Sequence, residues 1–75
     1  IRLKQEGALA GVSDLFLMIP KRDFHGLFIE MKAPGGKLQP NQKEFQSLAK
    51  SMGYEAITCF GFDQAKESIK KYLQA

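Results

Sequence analysis

Two carboxylates and an ammonium stand out in this chain: Asp14, directly after "GVS", and Glu30 and Lys32 inside the oily run "LFIEMKA". Charged groups are costly within an apolar run unless something there uses them. Side chains alternate along a strand, so Phe28, Glu30 and Lys32 would share one face and Leu27, Ile29 and Met31 the other. If an antiparallel hairpin pairs Ile19 with Leu27, Phe16 falls opposite Glu30 and Asp14 opposite Lys32. The three charges would then lie within roughly 5–8 Å of one another at one end of the hairpin. A slip of one residue would send Asp14 to the other face and break up the cluster. Two carboxylates converging with an ammonium suit a hard divalent cation. Asp14 and Glu30 can bind Mg²⁺, which takes oxygen ligands and keeps several waters, and the metal lowers the pKa of such a water toward nucleophilic use. Lys32 could orient that water or neutralise a pentavalent phosphate; making it the general base would require a strongly lowered pKa, of which the sequence carries no sign. The plainer reading is an ion pair between Glu30 and Lys32 on an edge strand, with Asp14 a turn residue. The charge pattern alone does not choose between the two.

The elements that must hold these residues follow from periodicity. "DLFLMI" (14–19) and "LFIEMKA" (27–33) are dense apolar runs separated by "PKRDFHG", which predicts an antiparallel hairpin. Runs apolar at nearly every position predict a sheet covered on both faces. Phe45, Leu48, Ala49 and Met52 mark one helical face, with Pro40 in its first turn and Gly53 placed to end it. "YEAITCF" (54–60) reads as a third strand, and a strand, helix, strand succession sets it parallel to the second. Phe62, Ala65, Ile69 and Tyr72 mark a closing helix, with Asp63 near its start and Lys70 and Lys71 near its end, as the helix dipole favours. The fold class is therefore α/β: a small mixed sheet, made of an antiparallel hairpin plus a parallel third strand, flanked by helices.

Composition sets the outer limits. Seventy-five residues, 44% of them hydrophobic and 25% charged, predict a single globular domain over 1–75 whose small core would gain from a partner subunit. No apolar run is long enough to span a membrane. A formal charge of +3 favours an anionic partner. One cysteine, Cys59, excludes an internal disulfide framework and a cysteine-based zinc site and fits an intracellular, reducing location. "IRLKQEG", with no Met and no signal pattern, reads as the last turns of a helix ending at Gly7 that residues upstream of Ile1 would complete.

"GVSD", a hairpin, "IEMK", "LQPNQKEF" and "MGYEAITC" occur in this order from Gly11 to Phe60. Together they resemble the VRR-NUC family of the PD-(D/E)XK, or restriction-endonuclease-like, nucleases. The resemblance implies a restriction-endonuclease-like core and a metal-dependent DNA endonuclease, a hydrolase using Mg²⁺ or Mn²⁺. Asp14, Glu30 and Lys32 match the catalytic acid, acid and lysine. The backbone carbonyl of Met31 would complete the metal shell with Asp14 and Glu30, and Gln42 matches an accessory active-site glutamine. Two positions depart from the family pattern. Gln39 stands where a small hydroxyl helix cap is usual, and Glu6, a candidate for the acid that often precedes the first strand, sits so close to Gly7 that its true equivalent could lie upstream. Small size and two-fold symmetry lead to an expected homodimer acting on branched DNA such as a four-way (Holliday) junction. The alternative is a catalytically silent nucleic-acid-binding or assembly module on the same fold, and a third is a small protein-interaction domain that binds neither DNA nor metal.

Other features weigh less. Gly35 and Gly36 fit a turn between strand and helix better than a phosphate cradle. Lys37 and Lys43 flank the expected site and could contact DNA phosphates, as could Lys50, although a solvated helix face explains them too. Arg22 and His25 fit a plain exposed turn, and Cys59 a buried strand residue. Phe45, Tyr54 and Phe60 are assigned to the core rather than to base stacking.

Overall fold

The chain, described over residues 11–74 in a computed structural model, runs β1 (Leu15–Leu17), β2 (Leu27–Lys32), α1 (Pro40–Ser51), β3 (Glu55–Phe60) and α2 (Phe62–Leu73). The expected helix end at Gly7, and Glu6 with it, lies outside the described residues. The sheet order is β1-β2-β3, with β1 antiparallel and β3 parallel to central β2. This is the mixed sheet the sequence predicts.

The oily β2 run is oily because each of its faces meets a different helix. Leu27 and Ile29 point to α2, where they are fully buried with Cys59, Ala65 and Tyr72. Phe28 points the other way and packs with Phe45, Ala49, Ala56 and Tyr54 beneath α1. A three-layer arrangement thus gives a short chain two small cores on one central strand. Helix α1 starts where Pro40 supplies a preset φ and lacks only an N–H that would be unpaired anyway. The β2–α1 connection bends through Ala33–Gly36, with the Gly36 N–H donating to the Ala33 carbonyl at 2.9 Å and Gly35 at φ 85°. Proline second and a left-handed glycine third make this a type II turn, so the glycines serve backbone shape.

Three expectations need correction. β1 keeps only Leu15–Leu17 of the predicted 14–19, and it pairs Leu17 with Leu27 and Phe16 with Phe28, not Ile19 with Leu27. The cause lies in the connection. Pro20 has no N–H to give a ladder, Lys21 and Phe24 bond each other around Arg22 at φ 54°, and the Ile19 carbonyl accepts the Tyr72 hydroxyl at 2.7 Å instead of a strand neighbour. Second, Met52 and Phe62, counted on buried helical faces, are 48% and 75% exposed because each sits at a helix end beyond the sheet it was meant to cover. Third, Phe60 is 37% exposed and belongs to neither core, whereas Phe45 and Tyr54 pack as expected.

Candidate active site

The altered register moves β1 by two positions, an even number, so every side chain stays on its expected face. Asp14 now falls opposite Glu30 rather than opposite Lys32, one residue beyond the last ladder pair Leu15–Ile29. Its position is fixed through the backbone: the Met31 N–H donates to Asp14 Oδ2 at 2.8 Å. Within a strand the N–H and C=O of one residue turn to the same edge, so the Met31 carbonyl also faces the side on which Asp14 stands.

Glu30 is buried on the α1 face, with its side chain 5% exposed, and the Lys32 ammonium lies 4.0 Å from its Oε2. Gln42 reaches the same oxygen from above, its Nε2 donating at 3.4 Å. The Gln42 amide is oriented from its other end, where Oε1 accepts the Gln39 N–H at 2.8 Å at the start of α1. This bond answers the missing hydroxyl cap: Gln39 holds the capping position of α1, and the Gln42 side chain takes its N–H. Glu30 Oε1, in contrast, is buried and has no hydrogen-bond partner. Burial pushes the Glu30 carboxyl above its ordinary value of 4.5; the hydrogen bond that only a protonated Glu30 could give Asp14 and the Asp14 charge push the same way, and Lys32 opposes them.

The structure therefore brings together Asp14, Glu30, Met31, Lys32 and Gln42. Lys37 and Lys43 are exposed on the connection and on the first turn of α1, and Lys50 is exposed near the far end of that helix. His25 braces a turn, its N–H on the Gly53 carbonyl at 2.8 Å and its ring edge-on to Tyr54.

Four residues around the site have no role in the sequence reading. Gln46, one turn along from Gln42, donates to the Thr58 hydroxyl at 3.0 Å, and Thr58 is the β3 neighbour of Glu30. The i,i+4 spacing of the two glutamines was the available signal. Gly11 carries φ 79°, and a Cβ there would meet the Asn41 carbonyl oxygen at 2.3 Å, so the segment leading to Asp14 lies directly on the α1 N-terminus. Ser13, next to Asp14, is buried with its hydroxyl unpaired.

A cation would find a suitable place here. Glu30 Oε1 is an orphaned buried acceptor, and two neighbouring carboxylates repel each other without one. Among the described residues no group of three or more His, Cys, Asp or Glu could hold a metal. Two carboxylates and a carbonyl suit Mg²⁺ or Mn²⁺, which fill the remaining positions with water or phosphate oxygens, better than an all-protein zinc or calcium cage.

Comparison with known proteins bears on the family and the fold. The sequence model of the VRR-NUC domain matches residues 2–63. A solved structure of a VRR-NUC domain protein superposes with a TM-score of 0.89 at 32% identity over 93% of this chain. The chain spans 59% of the length of that protein. No curated protein shows a significant match. Matched over most of its length in sequence and in shape, the chain belongs to the VRR-NUC domain family and has that family's nuclease-type fold.

Proposed function

We propose that this domain hydrolyses DNA phosphodiester bonds with the help of Mg²⁺ or Mn²⁺. The observation that carries the reading is the buried, unpaired Glu30 Oε1 beside Asp14, with the Lys32 ammonium 4.0 Å from the other Glu30 oxygen. Isolated ion pairs do not need a second carboxylate, an orphaned acceptor and a helix glutamine aimed at the same group. Asp14, Glu30 and the Met31 carbonyl would hold the cation. When bound, it supplies charge for the phosphoryl oxygens and a water of lowered pKa.

The chain's own residues do the positioning. Met31 N–H fixes the Asp14 carboxylate, and Gln42, itself tied to the helix start, fixes Glu30. Lys32 places a positive charge beside the carboxylates, where a phosphodiester gathers negative charge as it is attacked. Strand β2 is central and packed on both faces, so these groups are held on a rigid element. Lys37 and Lys43 flank the site and would contact neighbouring phosphates. An intracellular homodimer, with two such sites related by a two-fold axis, would suit a branched substrate such as a four-way junction.

The test is cleavage of labelled single-stranded, duplex, flap and four-way-junction DNA with Mg²⁺, Mn²⁺ or EDTA. Metal-dependent products that fall about 10²–10³-fold in Lys32→Ala are expected, the usual loss when one electrostatic stabiliser is removed. Undiminished metal-dependent cleavage in a clean Asp14→Ala preparation would sink the site assignment. Salt-sensitive DNA binding without turnover would favour a silent binding module.

A further inference from the structure

The α1 face of the sheet is a set of rows running across the strands. Phe28 and Ala56 form one row and lie under Phe45 and Ala49 of α1. Glu30 and Thr58 form the next, and each receives an amide from the first turns of α1, Gln42 on Glu30 and Gln46 on Thr58. Lys32 and Phe60 form the third. Helix α1 begins at Pro40, only two residues before Gln42, so the third row lies at the open end of the helix.

Phe60 is a large apolar ring in that open row. It is 37% exposed, it belongs to neither core cluster, and it has no aromatic partner among the described residues. Phe16, 43% exposed on the same face, is a different case: its ring stacks on Phe28 at 4.3 Å and meets Tyr54 edge-on at 5.9 Å, as the outer layer of the α1 core. Phe60 has no such account. Its backbone is well fixed, the N–H donating to Gln64 Oε1 at 2.9 Å and the next residue's N–H to the Lys32 carbonyl at 3.1 Å.

We propose that Phe60 is a stacking platform for one unpaired nucleobase adjacent to the phosphate held at Lys32. The inference rests on the nucleic-acid reading of the neighbouring site and names the substrate class that site takes. Lys32 and Phe60 are register partners on neighbouring strands, roughly 4.8 Å apart. A ring and an ammonium carried by paired residues on one face of the sheet match the two chemical faces of a single nucleotide, the flat base and the charged phosphate. The exposed Lys37 lies on the connection leading out of β2, and Lys43 on the first turn of α1. Their charge suits a polyanion and repels a cationic peptide, and a neutral apolar peptide would find a single ring and no groove. In intact duplex DNA the base faces are already stacked on their neighbours. The platform therefore favours single strands, flaps and the unpaired nucleotides of a branch point.

The experiment uses the whole protein and single-stranded oligonucleotides carrying 2-aminopurine at successive positions, first in EDTA, where nothing is cut. Stacking on Phe60 quenches the fluorescent base at one position. Phe60→Ala should lose that quenching and weaken binding by about 5- to 150-fold, the range for one base–aromatic stack. Phe60→Trp should restore both, and Phe60→Leu, apolar but without a flat ring, should not. With Mg²⁺, Phe60→Ala should raise KM for single-stranded substrate while kcat changes little. Wild-type affinity in Phe60→Ala, full rescue by leucine, or no position-specific quenching in the wild-type protein would each overturn the proposal. A folded wild-type protein that quenches through Phe60 yet cuts nothing would support the platform and overturn the nuclease reading. Cleavage with Phe60-independent binding would overturn the platform alone.

Discussion

Replacing Glu30 with Gln separates what the fold wants from what the site wants. The Glu30 side chain is 5% exposed, Oε1 is buried without a partner, and its carboxyl titrates above its ordinary value of 4.5. A raised folded pKa means the native state binds the proton more tightly than the unfolded chain does. Stability from this group is therefore fully present below about pH 4.5 and is lost as pH rises through the raised value. In the metal-free protein burial and Asp14 both oppose the ionised form of Glu30. Glutamine has the same shape, keeps an acceptor for Gln42, and can donate to the Asp14 carboxylate, which the Glu30 carboxylate can only repel. Leaving a buried polar atom unpaired costs about 1–3 kcal/mol, so Glu30→Gln should gain about 1–2 kcal/mol at pH 8 in EDTA. For a domain of this size that is a rise in Tm of roughly 5–15 °C. The gain should shrink toward pH 4.5, where the wild-type carboxyl takes up its proton. Metal should act in the opposite direction: a ligand at a hundred times its Kd stabilises by about 2.7 kcal/mol, and only the wild-type protein should show it. Melting both proteins by circular dichroism at pH 5 and pH 8, with EDTA and with Mg²⁺, reads all four terms. A variant less stable than wild type at pH 8 in EDTA would refute the reasoning, because it would mean that Glu30 is satisfied as a carboxylate by the fold alone.

Two further substitutions test the supports of the site. Gln42→Ala removes both the bond to the Gln39 N–H and the one to Glu30, and should cost about 1 kcal/mol in urea unfolding, the usual worth of a helix cap. Its cleavage rate should fall further than its stability explains, since Glu30 loses its orienting donor; an unchanged rate would remove Gln42 from the site. Gly11→Ala puts a Cβ at 2.3 Å from the Asn41 carbonyl oxygen at a φ of 79°, and should destabilise by more than about 1 kcal/mol in the same assay. Wild-type stability there would mean that the segment before Asp14 is not seated on the α1 N-terminus as described.

How much of this was legible in the sequence depends on how far away the deciding partner lies. The alternation in "LFIEMK" was enough to put Glu30 and Lys32 on one face and Ile29 on the other, because a strand's period is local and β2 meets a helix on each side. The cap at α1 was half legible: Pro40 marked the start, but Gln42 taking the Gln39 N–H depends on a side-chain orientation that composition does not carry. The hairpin register was misread by two because the Ile19 carbonyl goes to Tyr72, a residue 53 positions away, and so leaves the ladder. The cluster survived this error only because two is even. An error of one would have moved Asp14 off the face that Glu30 and Lys32 share.

Phe60 marks the same limit from the functional side. In "EAITCF" it alternates with Ala56 and Thr58 as a residue bound for the core, and nothing local distinguishes it from Phe45. What exposes it is the point at which α1 stops covering the sheet, one row short, over Glu30 and Thr58. That end of the helix has two consequences at once. It leaves the Lys32–Phe60 row open, and it aims the Gln42 amide at Glu30 from the first turn. An α1 beginning one turn earlier over the same sheet would bury Phe60 and bring more hydrophobic area into the core. It would also close the only row that holds Lys32. The exposed ring and the residual 17% exposure of the Lys32 side chain are thus one structural choice, and a substitution that covers Phe60 without touching Asp14, Glu30 or Lys32 should stabilise the fold and slow the chemistry together.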